Sequence, residues 1–346
     1  MSEWKKVKLG ECCFMGDVAH ASLKRQEKGI LYITAKNLTS NGLDYSRVDY
    51  ISEELYNKHF SEKNGAITRP IKNDIIFSII GSLGGSYLVK DEKLGISSSV
   101  AIFRSKGDIL PLYLFYYLKS EKIKSEIDSI KGGVAQGFMS LSKLGSLTIY
   151  LPTSLKLQQR IAETLSRYDS LIENYQKQIK LLEESAQRLY KEWFIDLRFP
   201  GHENTKIVDG VPEGWEKEKL RTLVEFKRGK TITKKEVVEG SIPVVAGGLE
   251  PAYYCNKFNT SERVITISGS GANAGYTRMY FEKVWASDCS FADSSMTPYL
   301  HFVFCFLRDN KTIIDNMQKG AAQPHVYAKD INLMEICIPT EIMLKS

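Results

Sequence analysis

Residues 154–192 read SLKLQQRIAETLSRYDSLIENYQKQIKLLEESAQRLYKE, a stretch with no glycine and no proline. From Ile161 the apolar or small side chains fall at Leu165, Tyr168, Ile172, Tyr175, Ile179, Leu182, Ala186, Leu189 and Trp193, in alternating steps of four and three. Such spacing is an a/d heptad seam, which lines one side of a helix with apolar groups and suits it to pairing. Pro152 stops the preceding extended segment and Thr153 or Ser154 can cap the first turn, so one continuous helix is predicted. At about 1.5 Å per residue it would span roughly 58 Å, too long to lie within a small domain, which makes it a spacer or strut.

On either side of the helix the chain repeats itself. Trp4-Lys-Lys-Val-Lys-Leu9 matches Trp215-Glu-Lys-Glu-Lys-Leu220, and each opens the same succession of signals. The apolar run ending in Gly81-Ser82 matches the one ending in Gly269-Ser270. Pro111-Leu-Tyr-Leu-Phe-Tyr-Tyr-Leu-Lys matches Pro298-Tyr-Leu-His-Phe-Val-Phe-Cys-Phe-Leu-Arg, each a helix with proline in its first turn. Both copies close on Leu151-Pro-Thr and Ile338-Pro-Thr. The first copy is longer before the Gly-Ser turn, where 77 residues separate Trp4 from Gly81 against 54 from Trp215 to Gly269.

The expected architecture is therefore α/β (α+β), with two similar mixed domains, 1–153 and 215–340. Between them run the spacer helix region, 154–199, and a linker, 200–214; residues 341–346 open a second helix that stops after one or two turns.

Composition sets the outer bounds. In 346 residues, 43% are hydrophobic and 25% charged, enough for a sizeable core and unlike a disordered polymer. The longest apolar runs are about half of what a bilayer-spanning helix needs, and the N-terminus lacks a secretion signal, so a cytoplasmic protein without a membrane segment is expected. Six cysteines without Cys-x-x-Cys spacing and five scattered histidines argue against zinc and disulfides. The net charge of +6 sits mostly in residues 1–153 (+5) and is zero over 193–346, which permits nucleic acid without demanding it.

Two similar domains flanking a rigid helix suit a ligand with two separated sites, such as duplex DNA; a coiled-coil adaptor without DNA affinity has the same outline. No Pro-Pro pair exists to build an amino-methyltransferase motif, and Asp74 with Asp91-Glu92-Lys93 fits a nuclease template poorly, solvated loop charges being the simpler reading. The glycine-rich stretches 81–86 and 269–275 lack the Lys-Ser/Thr of a P-loop and read as turns between strands, where Ser82, Ser270 and Asn273 could reach a DNA phosphate. Gln136 and Gln323 occupy matching places; glutamine can bond adenine in the major groove, but a residue common to both copies more naturally holds the fold. The basic runs Lys24-Arg25-Lys28 and Lys227-Arg228-Gly-Lys230 lie early in the copies and read either as solvated surface or as phosphate contacts.

Leu189-Tyr-Lys-Glu-Trp-Phe-Ile-Asp-Leu-Arg-Phe-Pro-Gly201, Val211-Pro-Glu-Gly-Trp215, and Leu151-Pro-Thr with Gln158-Gln-Arg-Ile161 resemble the specificity subunits of type I restriction-modification systems, over the whole chain. The resemblance implies target-recognition domains that each read half of a bipartite DNA site. It also implies helices that act as a ruler and as a docking platform for methyltransferase subunits and, through them, restriction subunits. The chain itself would then hold no catalytic residue, metal or cofactor, with S-adenosylmethionine, ATP and Mg²⁺ in the partner subunits. Family members carry a second helix antiparallel to the first; with that helix cut short, the seam from Ile161 to Trp193 is expected to pair with a second copy of the chain or with a partner's helices.

Overall fold

The computed structural model describes residues 4–18, 22–39, 42–60, 66–81, 83–131, 138–233, 235–319 and 324–345. The chain divides into two compact units, residues 1–175 and 176–346, so each holds part of the long helix.

The first unit runs β1 (Trp4–Lys8), α1 (Leu9–Cys12), β2 (Cys13–Gly16), β3 (Ile30–Ile33), β4 (Leu38–Thr39), β5 (Gly42–Leu43), β6 (Asp49–Ile51), α2 (Glu53–His59), β7 (Ile75–Ser78), β8 (Ser86–Leu88), β9 (Leu94–Ile96), β10 (Val100–Ser105), α3 (Pro111–Leu118), α4 (Glu121–Lys131), α5 (Leu141–Gly145) and β11 (Thr148–Pro152). It leads into α6 (Leu155–Tyr190). An antiparallel sheet of order β2-β10-β7-β8 forms its centre, and a sheet of order β6-β3-β9, with β3 and β9 parallel, packs against one face. Side-chain alternation divides the central strands. Ile75, Phe77, Ala101 and Phe103 face the helical layer of α1, α3, α4 and α5, whereas Ile76, Val100 and Ile102 face the second sheet. With both faces covered, the strand has no polar side to show in the sequence, which is why residues 75–80 read as an apolar run broken only by the buried Ser78.

The second unit repeats this order. It contains β12 (Ile207–Val208), β13 (Val211–Pro212), β14 (Glu216–Lys219), α7 (Leu220–Leu223), β15 (Lys227–Arg228), β16 (Ile242–Val245), β17 (Tyr253–Cys255), β18 (Val264–Ser268), β19 (Thr277–Tyr280), β20 (Trp285–Ala286), β21 (Cys289–Asp293), α8 (Leu300–Asp309), α9 (Lys311–Asn316), α10 (Ala328–Asn332), β22 (Glu335–Ile338) and α11 (Glu341–Lys345). Its central sheet, β15-β21-β18-β19, and its second sheet, β17-β16-β20 with β16 and β20 parallel, match those of the first unit strand for strand. Two insertions account for the longer first copy: residues 34–48, with the β4–β5 hairpin, stand where the second unit has 246–252, and residues 52–74, with α2, stand where it has 256–263.

Hydrogen bonding corrects the alignment of the two copies by two residues. Ile79 C=O accepts from Met139 N–H in the first unit, and its counterpart is Gly269 C=O, which accepts from Val326 N–H. Gly81 thus corresponds to Gly271, not to Gly269, and the two share a left-handed backbone at φ +79° and +81°. The sequence match paired the wrong glycine because it followed the Gly-Ser dipeptide, whereas the strand ladder follows the bonds.

Helix α6 is fastened at its start by one buried amide. Ser154 Oγ accepts from Leu157 N–H at 3.4 Å, and one turn on Gln158, 0% exposed, accepts from Leu110 N–H at 2.8 Å and donates to Pro152 C=O at 3.0 Å and Asp108 C=O at 3.1 Å. These bonds satisfy backbone groups where β11, the start of α3 and α6 converge, and Ile161 and Ala162 then pack into the core. In the second unit Gln187 donates to Cys305 C=O at 3.1 Å, and Tyr190 and Phe194 pack with Phe302 of α8. Phe194 and Phe199 also meet Trp215, which is 7% exposed where its counterpart Trp4 is 43% exposed. A π turn over Lys191–Ile195 follows α6, and the chain reverses through Leu197 at φ +57°, held by Arg198, whose guanidinium bonds Glu192 at 2.7 Å and Asp196 at 3.0 Å. Residues 200–214, expected as a linker, form a 3₁₀ turn at His202–Asn204 and the β12–β13 hairpin.

The seam is covered at its ends and bare along its length. Ile161 and Trp193 are half-buried, but Leu165, Tyr168, Ile172, Tyr175, Ile179, Leu182, Ala186 and Leu189 are exposed, up to 69% at Leu182.

Replacing Gln158 with Leu is expected to destabilise the first unit by about 2–4 kcal/mol, because it leaves three backbone groups, one buried and two half-buried, without their partner. Urea titration and hydrogen exchange at the Leu110 amide check this; unchanged exchange at Leu110 would show that the amide does not secure the helix.

Candidate nucleic-acid interface

In each unit the loop that leaves the second sheet meets the glycine turn of the central sheet. In the first unit Asn37, 4% exposed, organises that loop: its Oδ1 accepts from Thr34 N–H and Oγ, and its Nδ2 donates to Arg47 C=O at 3.0 Å. The turn from Gly81 to Gly85 lies so close that a Cβ on Gly85 would stand 2.4 Å from Leu38 C=O. Two adjoining clefts result. One, of about 820 Å³, is lined by residues that include Lys36, Arg47, Asp44 and Asp49; the other, of about 420 Å³, carries Lys36, Lys119 and Lys124.

The second unit builds its version from different residues. Gly247 C=O accepts from Ser268 Oγ at 3.2 Å and Asn273 Nδ2 at 3.5 Å, and Ser270 Oγ bonds the Asp288 carboxylate. A cleft of about 750 Å³ lies beside this turn, with Arg278, Arg308 and Lys311 accompanied by Glu183 and Glu250. Lys119 and Arg308 hold matching places: each cation sits over a helix phenylalanine, Phe115 or Phe304, and each approaches a carboxylate of α6, Asp169 at 4.0 Å or Glu183 at 2.9 Å.

The structure distributes the sequence candidates unevenly. Arg25 belongs to the fold: its guanidinium lies 3.8 Å over the Tyr32 ring, pairs with Asp49 at 3.1 Å and donates to Leu23 C=O. Lys24 and Lys28 are exposed. Lys227 and Arg228 form β15 itself, the edge of the central sheet, with exposed side chains, and Lys230 follows, its carbonyl accepting from Trp285 Nε1 at 2.7 Å. Ser270 and Asn273 are half-buried and bonded within their turn. Ser82, Gln136 and Gln323 lie outside the described residues.

Asp74 corrects the reading of loop charges. It is 1% exposed and grips the Arg104 guanidinium through two bonds of 2.9 and 2.8 Å while accepting from Ile71 N–H, so it is a buried structural pair rather than a solvated charge. Asp91 pairs with Lys72 at the surface. Among the described residues no group of three or more His, Cys, Asp or Glu side chains is placed to hold a metal, and no helix is long and apolar enough to cross a membrane. The six cysteines are free thiols, and burial pushes Cys289 up to about 12 and Cys305 up to about 11.

Sequence reasoning missed Lys36, Arg47, Lys124, Arg278 and Lys311, which stand singly in the chain and converge only through the fold. Lys119 and Arg308 had a signal, since each closes the proline-led aromatic helix of its own copy.

Comparison with known proteins agrees with this architecture. Residues 1–184 and 212–341 match the type I restriction modification DNA specificity domain. The type I restriction enzyme MjaIX specificity subunit of Methanocaldococcus jannaschii is 28% identical over 265 residues, covering 69% of this chain and 61% of that protein. The HindI specificity subunit of Haemophilus influenzae is 25% identical over 209 residues, covering 57% and 42%. The chain spans 46% to 61% of the length of three curated relatives that it matches. In fold, it superposes on the crystal structure of a type I restriction-modification S subunit from M. genitalium with a TM-score of 0.57 at 19% identity, over 99% of this chain and 86% of the other. With the matched segments covering most of its length and falling on the two repeated units, the chain belongs to the type I restriction-modification DNA specificity domain family.

Proposed function

We propose that this protein is the DNA-reading subunit of a type I restriction-modification enzyme, in which residues 1–153 and 215–340 each read one half of a bipartite site. The observation that carries this reading is a shared scaffold with unlike loops. The strand order of the two units is the same, yet the segments 34–48 and 52–74 differ in length and residue type from 246–252 and 256–263. A common frame that presents different side chains is what two half-sites of different sequence require, because phosphate contacts position a reader whereas base contacts specify. The chain binds and does not catalyse. Methyltransferase subunits docked on it supply S-adenosylmethionine chemistry, and restriction subunits beyond them supply ATP- and Mg²⁺-dependent cleavage. Exchanging residues 1–153 for the matching domain of a relative, in complex with methyltransferase subunits, is expected to change one half of the methylated sequence; a change in both halves would refute independent reading.

Lys227, Arg228 and Lys230 supply phosphate contacts from the sheet edge of the second unit, whose net charge is only +1 over residues 176–346. Replacing all three with Ala is expected to weaken binding to every duplex alike and to lower the slope of log affinity against log salt by about 0.9 for each phosphate no longer neutralised. A changed target sequence with an unchanged salt slope would contradict this.

The bare seam of α6 is the docking surface for partner helices, and in the isolated chain it pairs with a second copy. An antiparallel pair centred on Lys177 sets every a position opposite a d position, with Tyr175 facing the partner's Ile179 and Ile172 facing the partner's Leu182. Each large apolar side chain so buried contributes about 1.5–3 kcal/mol. Light scattering is expected to show a dimer that Ile172→Asp with Ile179→Asp converts to monomer; a wild-type monomer at micromolar concentration would exclude self-pairing.

A further inference from the structure

The 420 Å³ cleft of the first unit has a composition that contact with a DNA backbone does not explain. Its floor is apolar, from Ala35, Leu38 and Leu83, and its basic groups come from three separate elements: Lys36 from the turn after β3, Lys119 from the end of α3 and Lys124 from α4. Among the described residues, no carboxylate lines it. Ser86, also on its wall, is 3% exposed, and its buried hydroxyl has no hydrogen-bond partner among the described residues. A buried polar group without a partner costs free energy, and a ligand that bonds it recovers that cost.

The set is complementary to a molecule with a flat, weakly polar body and an anionic end. Apolar walls accept the face of a heterocycle, a hydroxyl can bond a ring edge, and converging ammonium groups suit a phosphate. Lys119 and Lys124 have carboxylate partners, Asp169 at 4.0 Å and Glu121 at 2.6 Å, but such half-exposed pairs contribute little to stability and yield readily to a phosphate. We propose that this cleft binds a nucleoside phosphate, with the base against Leu38 and Leu83 and the phosphate toward Lys36, Lys119 and Lys124. The ligand is either a free mononucleotide or a single nucleotide displaced from a DNA duplex. The matching cleft of the second unit has Glu183 and Glu250 on its wall beside its cations, whereas no described carboxylate lines this one, so the proposal is made for the first unit. This proposal stands apart from half-site reading, since a free nucleotide can saturate the cleft whether or not the protein reads DNA.

The full chain should be titrated calorimetrically with AMP, CMP, GMP and UMP, with adenosine and inorganic phosphate as fragments, and with a duplex bearing one looped-out nucleotide beside its perfect counterpart. Saturable binding of at least one mononucleotide, at least tenfold tighter than either fragment, is expected. Lys36→Ala with Lys124→Ala should weaken it tenfold or more. Ser86→Ala should weaken it about three- to tenfold without lowering the thermal midpoint, because the hydroxyl it removes has no partner among the described residues. A looped-out duplex that binds more tightly than the perfect one and is displaced by the mononucleotide identifies DNA as the source; mononucleotide binding with equal affinity for the two duplexes identifies the free ligand. Absence of saturable binding by every mononucleotide and no preference for the looped-out duplex would overturn the proposal, as would binding unaffected by the lysine substitutions.

Discussion

Burial of both faces of a four-stranded antiparallel sheet is the constraint on which each unit depends. In the first unit Ile75, Phe77 and Phe103 point into the helical layer while Ile76, Val100 and Ile102 point into the second sheet, and in the second unit Ile265 and Ile267 are opposed in the same way to Val264 and Phe291. A sheet covered on both sides tolerates no slip of register, since shifting a strand by one residue would exchange the side chains intended for two different cores. The rigidity of that centre fixes the strand ends, and the loops between them are free to vary. Variation is concentrated there: the first unit carries a hairpin between β3 and β6 and a helix between β6 and β7, where the second unit has only the shorter connections 246–252 and 256–263 on either side of β17.

The long helix is attached by a different physics at each end. At its start the attachment is polar, one glutamine amide completing the backbone bonding of β11 and the entry to α3. At its finish it is aromatic, with Tyr190, Phe194, Phe199, Trp215 and Phe302 packed together, Phe194 edge-on to Phe302 and the other pairs tilted. A buried amide with three bonds is directional and fixes an angle, whereas an aromatic cluster contributes large apolar area with looser geometry. The segments that most resemble the family, around Gln158 and from Leu189 to Trp215, are the segments that make these attachments. Their family likeness is thus accounted for by how the helix is held.

Much of the architecture was legible because it is written in local patterns. The 3.5-residue periodicity of 161–193 specified a helix, and the proline-led aromatic stretches marked α3 and α8. The candidate site was far less legible. Lys36, Arg47, Lys119 and Lys124 are separated by up to 88 positions in the chain and share no motif; only the packing of the Thr34–Asn37 turn against Gly85 brings them round adjoining clefts. The runs that did stand out, such as Lys24-Arg25-Lys28, include an arginine committed to Tyr32 and Asp49, because adjacency in sequence does not make side chains free for a ligand.

By itself the sequence determined that two like units flank one long helix, since duplication and helical periodicity are properties of residue order alone. Only the tertiary structure decided which glycines correspond, that Asp74 is a buried partner of Arg104, and that the seam from Leu165 to Leu189 stands bare. Each of these depends on contacts between residues far apart in the chain: a strand ladder aligned by backbone bonds, a guanidinium brought across the sheet from another strand, and the limited reach of the cores that cover the helix at its two ends.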